Sequence, residues 1–321
     1  MTRSKTLARA GARQPLVKNP LFIDGISRAG KFLLTNLLSG LKGVEPVQYR
    51  PVMEHVSRLQ RFGLIDRKAA QQLLRTEADM ACYEMLIGRN FNFRRSDKSS
   101  IFNNAGYKAY LKRLDQVDGS AALVNFYKNN LLSLFIIHEA FPNINVFFDA
   151  FPDMKVIIMQ RSPVDLVYSW QQRQLGARIG RDPLLGEIPL QGKTGPIPWC
   201  LYKNQAEYAS LKGIDRTILT ITTLFKMYDA SYNELSALKK KRIVFVRYED
   251  ILSNPQATVK AVSHFLQRRV LSGIKDIIKK EKLPNKEYLS LKEQKIEKIK
   301  SLASKKYFNK LLSLEKKYFF A

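Results

Sequence analysis

The sequence predicts an α/β fold: a P-loop-like parallel sheet flanked by helices, with a helical basic C-terminal extension. Three observations lead there. Residues 20–24 form a short apolar run that stops at a glycine loop and continues into residues of helical period, the strand–loop–helix opening of a parallel unit. Three later runs of strand length, 134–137, 156–159 and 243–246, each end in a polar or charged residue. Buried parallel strands do this when they deliver side chains to a site at their C-terminal edge. The intervening segments carry apolar residues at helical spacing.

In chain order, residues 1–19 read as a flexible basic lead-in, 20–267 as one α/β domain and 268–321 as a Lys-rich helical extension. A helix is expected over 33–41 and two more over 56–90, where apolar positions recur among many charges. Residues 91–120 mix turn formers with basic and aromatic residues and predict a loop followed by a helix. Pro163 opens a helix at the position where its missing N–H is harmless. The Gly/Pro-rich stretch 176–198 is long enough for a substrate-facing lid. A long helix follows over 217–239, and another from Asn254-Pro255 to 267. In the extension, lysines alternate with Leu, Ile, Tyr and Phe. Such a helix either packs its apolar stripe on the domain or turns a basic face to an acidic membrane or an anionic acceptor.

Hydrophobic residues make up 45% of the 321, enough to bury a sizeable core and to exclude wholesale disorder. Lys and Arg number 54 against 28 Asp and Glu, a formal charge of +26. That excess gathers anionic partners: nucleic acid, an acidic membrane face, an acidic glycan or a multi-phosphate nucleotide. Charge alone does not choose among them. The two cysteines, Cys82 and Cys200, are too few for a disulfide framework, and no His/Cys cluster predicts a metal site. The basic N-terminus has no apolar core of a signal peptide, and no run approaches the roughly 20 residues of a membrane span. A cytoplasmic protein is expected.

Residues 25–31, Gly-Ile-Ser-Arg-Ala-Gly-Lys, fit the GxxxxGK opening of a phosphate-binding loop. Glycines let successive N–H groups point inward, and the following helix adds its positive end. Arg28 and Lys31 add charge, so a phosphate or sulfate is the natural guest; the alternative is a chance turn between strand and helix. The residue after the lysine should be Ser or Thr to hold magnesium in a nucleotide triphosphatase. Here it is Phe32, which suits an enzyme that holds an oxyanion without a metal.

The second motif spans 156–170, Val-Ile-Ile-Met-Gln-Arg-Ser-Pro-Val-Asp-Leu-Val-Tyr-Ser-Trp. A strand runs into Arg161, and Ser169 follows eight residues later, roughly two turns along the next helix. Both could be structural, Arg161 as a strand-end ion pair and Ser169 as an ordinary helix serine. Asp165 and Pro163 belong to the helix start.

Residues 161–170 resemble the 3′-phosphate motif of the sulfotransferase superfamily, an Arg at a strand end and a Ser eight residues on. Residues 243–255, Ile-Val-Phe-Val-Arg-Tyr-Glu-Asp-Ile-Leu-Ser-Asn-Pro, are similar to the later strand, Tyr-Glu-Asp and Asn-Pro segment of that superfamily. The glycine loop stands where the superfamily keeps its 5′-phosphosulfate loop. The resemblance implies a domain of the same fold that uses 3′-phosphoadenosine-5′-phosphosulfate as co-substrate. It implies that Arg28, Ala29, Gly30, Lys31 and Phe32 cradle the 5′-phosphosulfate, and that Arg161 and Ser169 hold the 3′-phosphate. Tyr248, Glu249 and Asp250 are expected to be structural, orienting basic residues. Two departures stand out. Many members carry Ser/Thr-Gly-Thr-Thr where this chain has Ala29-Gly30-Lys31-Phe32, and no Arg-Lys-Gly run near the C-terminus supplies closure over the 3′-phosphate.

Sulfuryl transfer needs a base for the acceptor proton and cations for the leaving group. Lys31 and Arg28 can serve the latter. The candidate bases are His138, which ends an apolar run just ahead of the Arg161 strand, and Glu54, beside His55, in the region where heparan-type members place a catalytic Glu. His138 is preferred; His55 and His264 read as structural. The expected reaction moves a sulfuryl group to a hydroxyl, or less readily an amine, of a carbohydrate or small metabolite, with no metal and no nucleic-acid partner. The loops 91–120 and 176–198 would build the acceptor pocket. Two other readings stay open: an ATP-dependent kinase, using a strand-like 145–149, and a non-enzymatic polyanion-binding protein.

Overall fold

The glycine-loop run and all three later apolar runs become strands of one sheet in the computed structural model, which describes residues 10–11, 13–116, 119–193 and 195–320. The strands are β1 (Leu21–Asp24), β2 (Gln48–Tyr49), β3 (Leu134–Ile136), β4 (Lys155–Gln160), β5 (Leu190–Gly192), β6 (Gly195–Ile197) and β7 (Ile243–Arg247). Five of them form a sheet of order β2-β3-β1-β4-β7, every pairing parallel. In the register, Phe22 faces Phe135 on one side and Val156 on the other. The central β1 is therefore covered on all sides, which is why its four residues are all buried and show no polar alternation. Helices cover both faces, as a parallel sheet requires.

Parallel strands bring their C-terminal ends to one edge. Asp24, His138, Arg161 and Tyr248 all lie at or just past those ends. Beneath them Phe22 packs against Phe135, Phe147 and Phe151 with ring centroids 5.2–5.8 Å apart. Residues 145–149, read above as strand-like, belong instead to the helix Ile144–Ala150. Ile144, Phe147 and Phe148 recur at helical spacing, and Phe147 plugs into the core under β1.

The two helices expected over 56–90 are Pro51–Arg61 and Arg67–Leu86, the second capped by Asp66. The helix after the glycine loop is Lys31–Leu38, and the long helix expected over 217–239 runs Gly213–Asn233. The stretch 176–198 carries the two-stranded antiparallel ribbon β5–β6. Neither that ribbon nor β2 was read from the sequence, because strands of two or three residues leave no periodicity. The lead-in 1–19 is anchored where it is described: Arg13 pairs with Asp79 at 2.7 Å, and Val17, buried, donates to the same carboxylate at 2.8 Å.

The segment 268–321 forms the helices Ile274–Lys280, Lys286–Ser290, Lys292–Lys300 and Lys305–Phe320. Ile277, Ile299, Tyr307 and Leu311 enter the same hydrophobic core as the sheet. Two polar clasps add to this. Glu315 accepts from Ser162 Oγ at 2.7 Å and Val164 N at 2.9 Å, and Lys295 Nζ donates to Asp165 at 2.7 Å, all of it buried. Both clasps close on the first turn of the helix Pro163–Gln172. Among the described residues no helix is long and apolar enough to cross a membrane.

Candidate active site

The glycine loop joins β1 to the helix Lys31–Leu38. Gly30 has φ 94, and a Cβ there would sit 2.3 Å from a ring carbon of Tyr248, so only glycine fits. Arg28 also adopts a positive φ, 77, which aims its side chain across the loop toward the helix Pro163–Gln172. Its Nε donates to Ser169 Oγ at 3.3 Å. Lys31 is buried, and its ammonium donates to the Gly25 and Ile26 carbonyls at 2.6 and 3.2 Å. Burial pushes that ammonium down to about 8, against the pull of Asp24, Glu139 and Glu54. The loop is braced from outside: Trp170 Nε1 donates to Ser27 O at 2.8 Å, and Ser27 N to Glu139 at 3.2 Å. The N–H of Phe32 opens the helix without an intrahelical partner, as every first turn does.

Arg161 leaves the end of β4 and meets the loop from the other side. One terminal nitrogen donates to the Arg28 carbonyl, the other to the Tyr288 hydroxyl, and the guanidinium lies 4.6 Å from the Tyr248 ring centroid. Its Nε is buried without a partner among the described residues. Arg161 and Ser169 thus do not touch; Arg28 links them. Glu249 accepts from Ser162 N at 2.8 Å and from the Tyr318 hydroxyl at 2.8 Å, so that carboxylate holds backbone rather than facing a ligand.

The two candidate bases are in contact. Glu54, on the helix Pro51–Arg61, accepts from the His138 backbone N–H at 2.8 Å, and the same oxygen lies 3.0 Å from His138 Nδ1. Arg58 stands behind the pair, 3.7 Å from Glu54 and 3.9 Å from Glu139, and donates to the His138 carbonyl at 3.1 Å. Burial drives Glu54 up to about 7, with Arg58 and Lys31 opposing. Burial, then the charge of Lys31, hold the His138 imidazole well below its ordinary range, so it is neutral near pH 7. A neutral ring beside a carboxylate places its proton on Nδ1 and leaves Nε2 as acceptor, a tautomer assigned from the hydrogen bonds.

These parts share one cavity of about 500 Å³. Arg28, Gly30, Lys31, Phe32, Arg161, Glu54 and His138 all line it. Ser169 sits one hydrogen bond outside, and Ala29 is buried beneath the loop. His55 and His264 are not on the wall. Lys98, Leu175 and, from the stretch 176–198, Ile179, Leu185 and Glu187 also line it. Tyr49, Tyr248 and Glu187 line the cavity without having been assigned to it from the sequence. Tyr248 could have been found, since its motif had been recognised; Glu187 sits in a loop with no pattern. Burial and the nearby Glu139 push Glu187 up to about 7. A second cavity of about 760 Å³ shares only Arg161 with this one and is walled by Phe225, Tyr228, Tyr232 and Phe245. It holds no candidate base.

A family model described as the sulfotransferase domain matches residues 70–320. The chain belongs to the sulfotransferase family. The match begins after the glycine loop, so that loop is judged on its geometry alone. No curated protein matches the chain. Among solved structures it is similar to the sulfotransferase domain of the curacin biosynthetic pathway, at 13% identity and a TM-score of 0.41 over 82% of this chain and 77% of that one. A sulfotransferase from Mycobacterium tuberculosis gives 12% and 0.40 over 82% and 71%. One from Alicyclobacillus acidocaldarius gives 13% and 0.36 over 89% and 96%.

Proposed function

We propose that this sulfotransferase takes the sulfuryl group from 3′-phosphoadenosine-5′-phosphosulfate and passes it to a hydroxyl, or an amine, of a carbohydrate or small metabolite. One observation carries the reading: a glycine loop and a strand-end arginine converge at one part of a cavity whose other part holds the buried Glu54 against the half-buried His138. The residues suit a polyanionic nucleotide. Among the described residues neither Arg28 nor Arg161 is in an ion pair, and one Arg161 nitrogen is buried without a partner. Family membership sets aside the kinase and non-enzymatic readings.

The donor supplies an activated sulfuryl group and a phosphate leaving group. The loop N–H groups, Arg28 and Lys31 bind its 5′ end, with Lys31 leaving the loop carbonyls to follow the charge on the bridging oxygen. Arg161 and Ser169 hold the 3′-phosphate. His138 Nε2 accepts the acceptor's proton, while Glu54 fixes the ring and steadies the imidazolium that forms. Tyr49, whose ring packs edge-on against His138 at 4.9 Å, limits where the acceptor can lie.

Calorimetry with adenosine 3′,5′-bisphosphate and with Mg-ATP tests this on the wild type and Arg161→Ala. Micromolar bisphosphate affinity without metal, lost in the variant, is the expected result. Tight Mg-ATP binding with indifference to the bisphosphate would sink the reading.

A further inference from the structure

We propose that Tyr288 is a specificity-determining residue for the donor, its hydroxyl donating to the 3′-phosphate beside Arg161. The inference rests on the donor reading above and adds a residue from the C-terminal segment, where no sequence pattern marks one.

Hydrogen-bond directions decide what each group at Arg161 still has to give. A guanidinium can only donate, so the Tyr288 oxygen accepts from Arg161, and the phenol's single proton is unspent in that contact. Ser169 repeats the arrangement on the other side: its oxygen accepts from Arg28 Nε and its proton is likewise available. Two arginines therefore each carry a hydroxyl that still has a hydrogen bond to give. The nearby carboxylates are committed elsewhere. Asp165 holds Lys295 at 2.7 Å, Glu315 holds Ser162 and Val164, and Glu249 holds Ser162 N and Tyr318. Positive charge at Arg28 and Arg161 is left without a protein anion, and Arg173 adds more within Coulomb range of Arg28. A charge-assisted bond from Arg161, with hydroxyl donors from Tyr288 and Ser169 on either side, suits a phosphate better than a neutral ribose hydroxyl.

Tyr288 is also held in place before any ligand arrives. Its N–H donates to Asn285 Oδ1 at 3.0 Å, Asn285 N donates to Leu252 O at 2.9 Å, and Lys295 Nζ sits 3.7 Å from the ring centroid. The Tyr248 ring meets the Tyr288 ring edge-on at 5.7 Å, beside the Arg161 guanidinium. Burial raises the phenol to about 12, which keeps it a donor at neutral pH.

The test compares adenosine 3′,5′-bisphosphate with adenosine 5′-monophosphate by calorimetry. In Tyr288→Phe the bisphosphate should bind about tenfold more weakly, while the monophosphate is unaffected and so reports an intact fold. The same replacement on an Arg161→Lys background should still weaken the bisphosphate. Equal losses for both nucleotides, no loss, tighter bisphosphate binding, or an effect that vanishes with Arg161→Lys would each overturn the direct contact. A wild type that binds the two nucleotides equally would instead overturn the donor reading itself.

Discussion

The two ends of the cavity are built on opposite electrostatic plans. At the Arg28–Arg161 end, permanent cations are held by backbone carbonyls and hydroxyls, and the acids nearby are spent on a helix start. At the Glu54–His138 end, buried acids face a neutral imidazole and share one arginine. One end stores charge for a ligand to cancel. The other stores groups whose proton affinity lies close to neutral pH. Under the proposed function donor binding and proton removal fall to separate parts of the sheet edge, and variants should separate them in solution.

The largest separation is expected from His138→Ala, with single-turnover transfer slowed about 10²–10⁴-fold while bisphosphate affinity stays at the wild-type value. Glu54→Gln should slow transfer less, because the ring keeps Nε2 but loses its orienting carboxylate. Wild-type transfer by His138→Ala would remove the histidine from the mechanism.

Next comes pH. Glu54 is raised to about 7 and is needed unprotonated, so kcat/KM should fall about tenfold per unit as pH drops below about 7. Lys31 is lowered to about 8 and is needed protonated, so kcat/KM should fall again above about 8. In kcat the alkaline limb should move upward, because a bound polyanion favours the ammonium. A level profile across both values would detach these groups from the rate.

At the cationic end, Gly30→Ala forces a methyl into the Tyr248 ring at a positive φ and should cost about 1–3 kcal/mol of stability, with weaker bisphosphate binding. An unchanged melting curve and affinity would show that the ring yields. The smallest effect belongs to Glu187→Gln. Removing that charge should lower the acid limb by about a few tenths of a pH unit and leave nucleotide affinity alone. A change in nucleotide affinity would mean the two ends are not separable.

What was legible in the sequence follows from what leaves a local pattern. The strands β1, β3 and β4 are buried on both faces, and the edge strand β7 stays apolar although Phe245 is exposed, so all four read as plain apolar runs with a polar residue at the site end. Arg161 and the glycine loop are local motifs fixed by backbone geometry. Glu54 and His138 looked like rivals because 84 positions separate them, and only the pairing of β2 beside β3 makes them partners. Residues 145–149 misled because, without Ile144, a run of five is too short for helical spacing to be told from a strand. Tyr288, which meets Arg161, and Glu187, which lines the cavity, were invisible for a different reason: each comes from a segment whose path is set by tertiary packing.

The clasp between Glu315 and the first turn of the helix Pro163–Gln172 joins positions 153 residues apart in sequence. During synthesis, therefore, the helix that carries Ser169 emerges with only its own Ser162 cap and waits for the Glu315 clasp until 153 further residues have followed Ser162. Contacts of such sequence separation form late, because loop closure must be met before they give anything back. The start of that helix is in this sense finished by a segment made long after it.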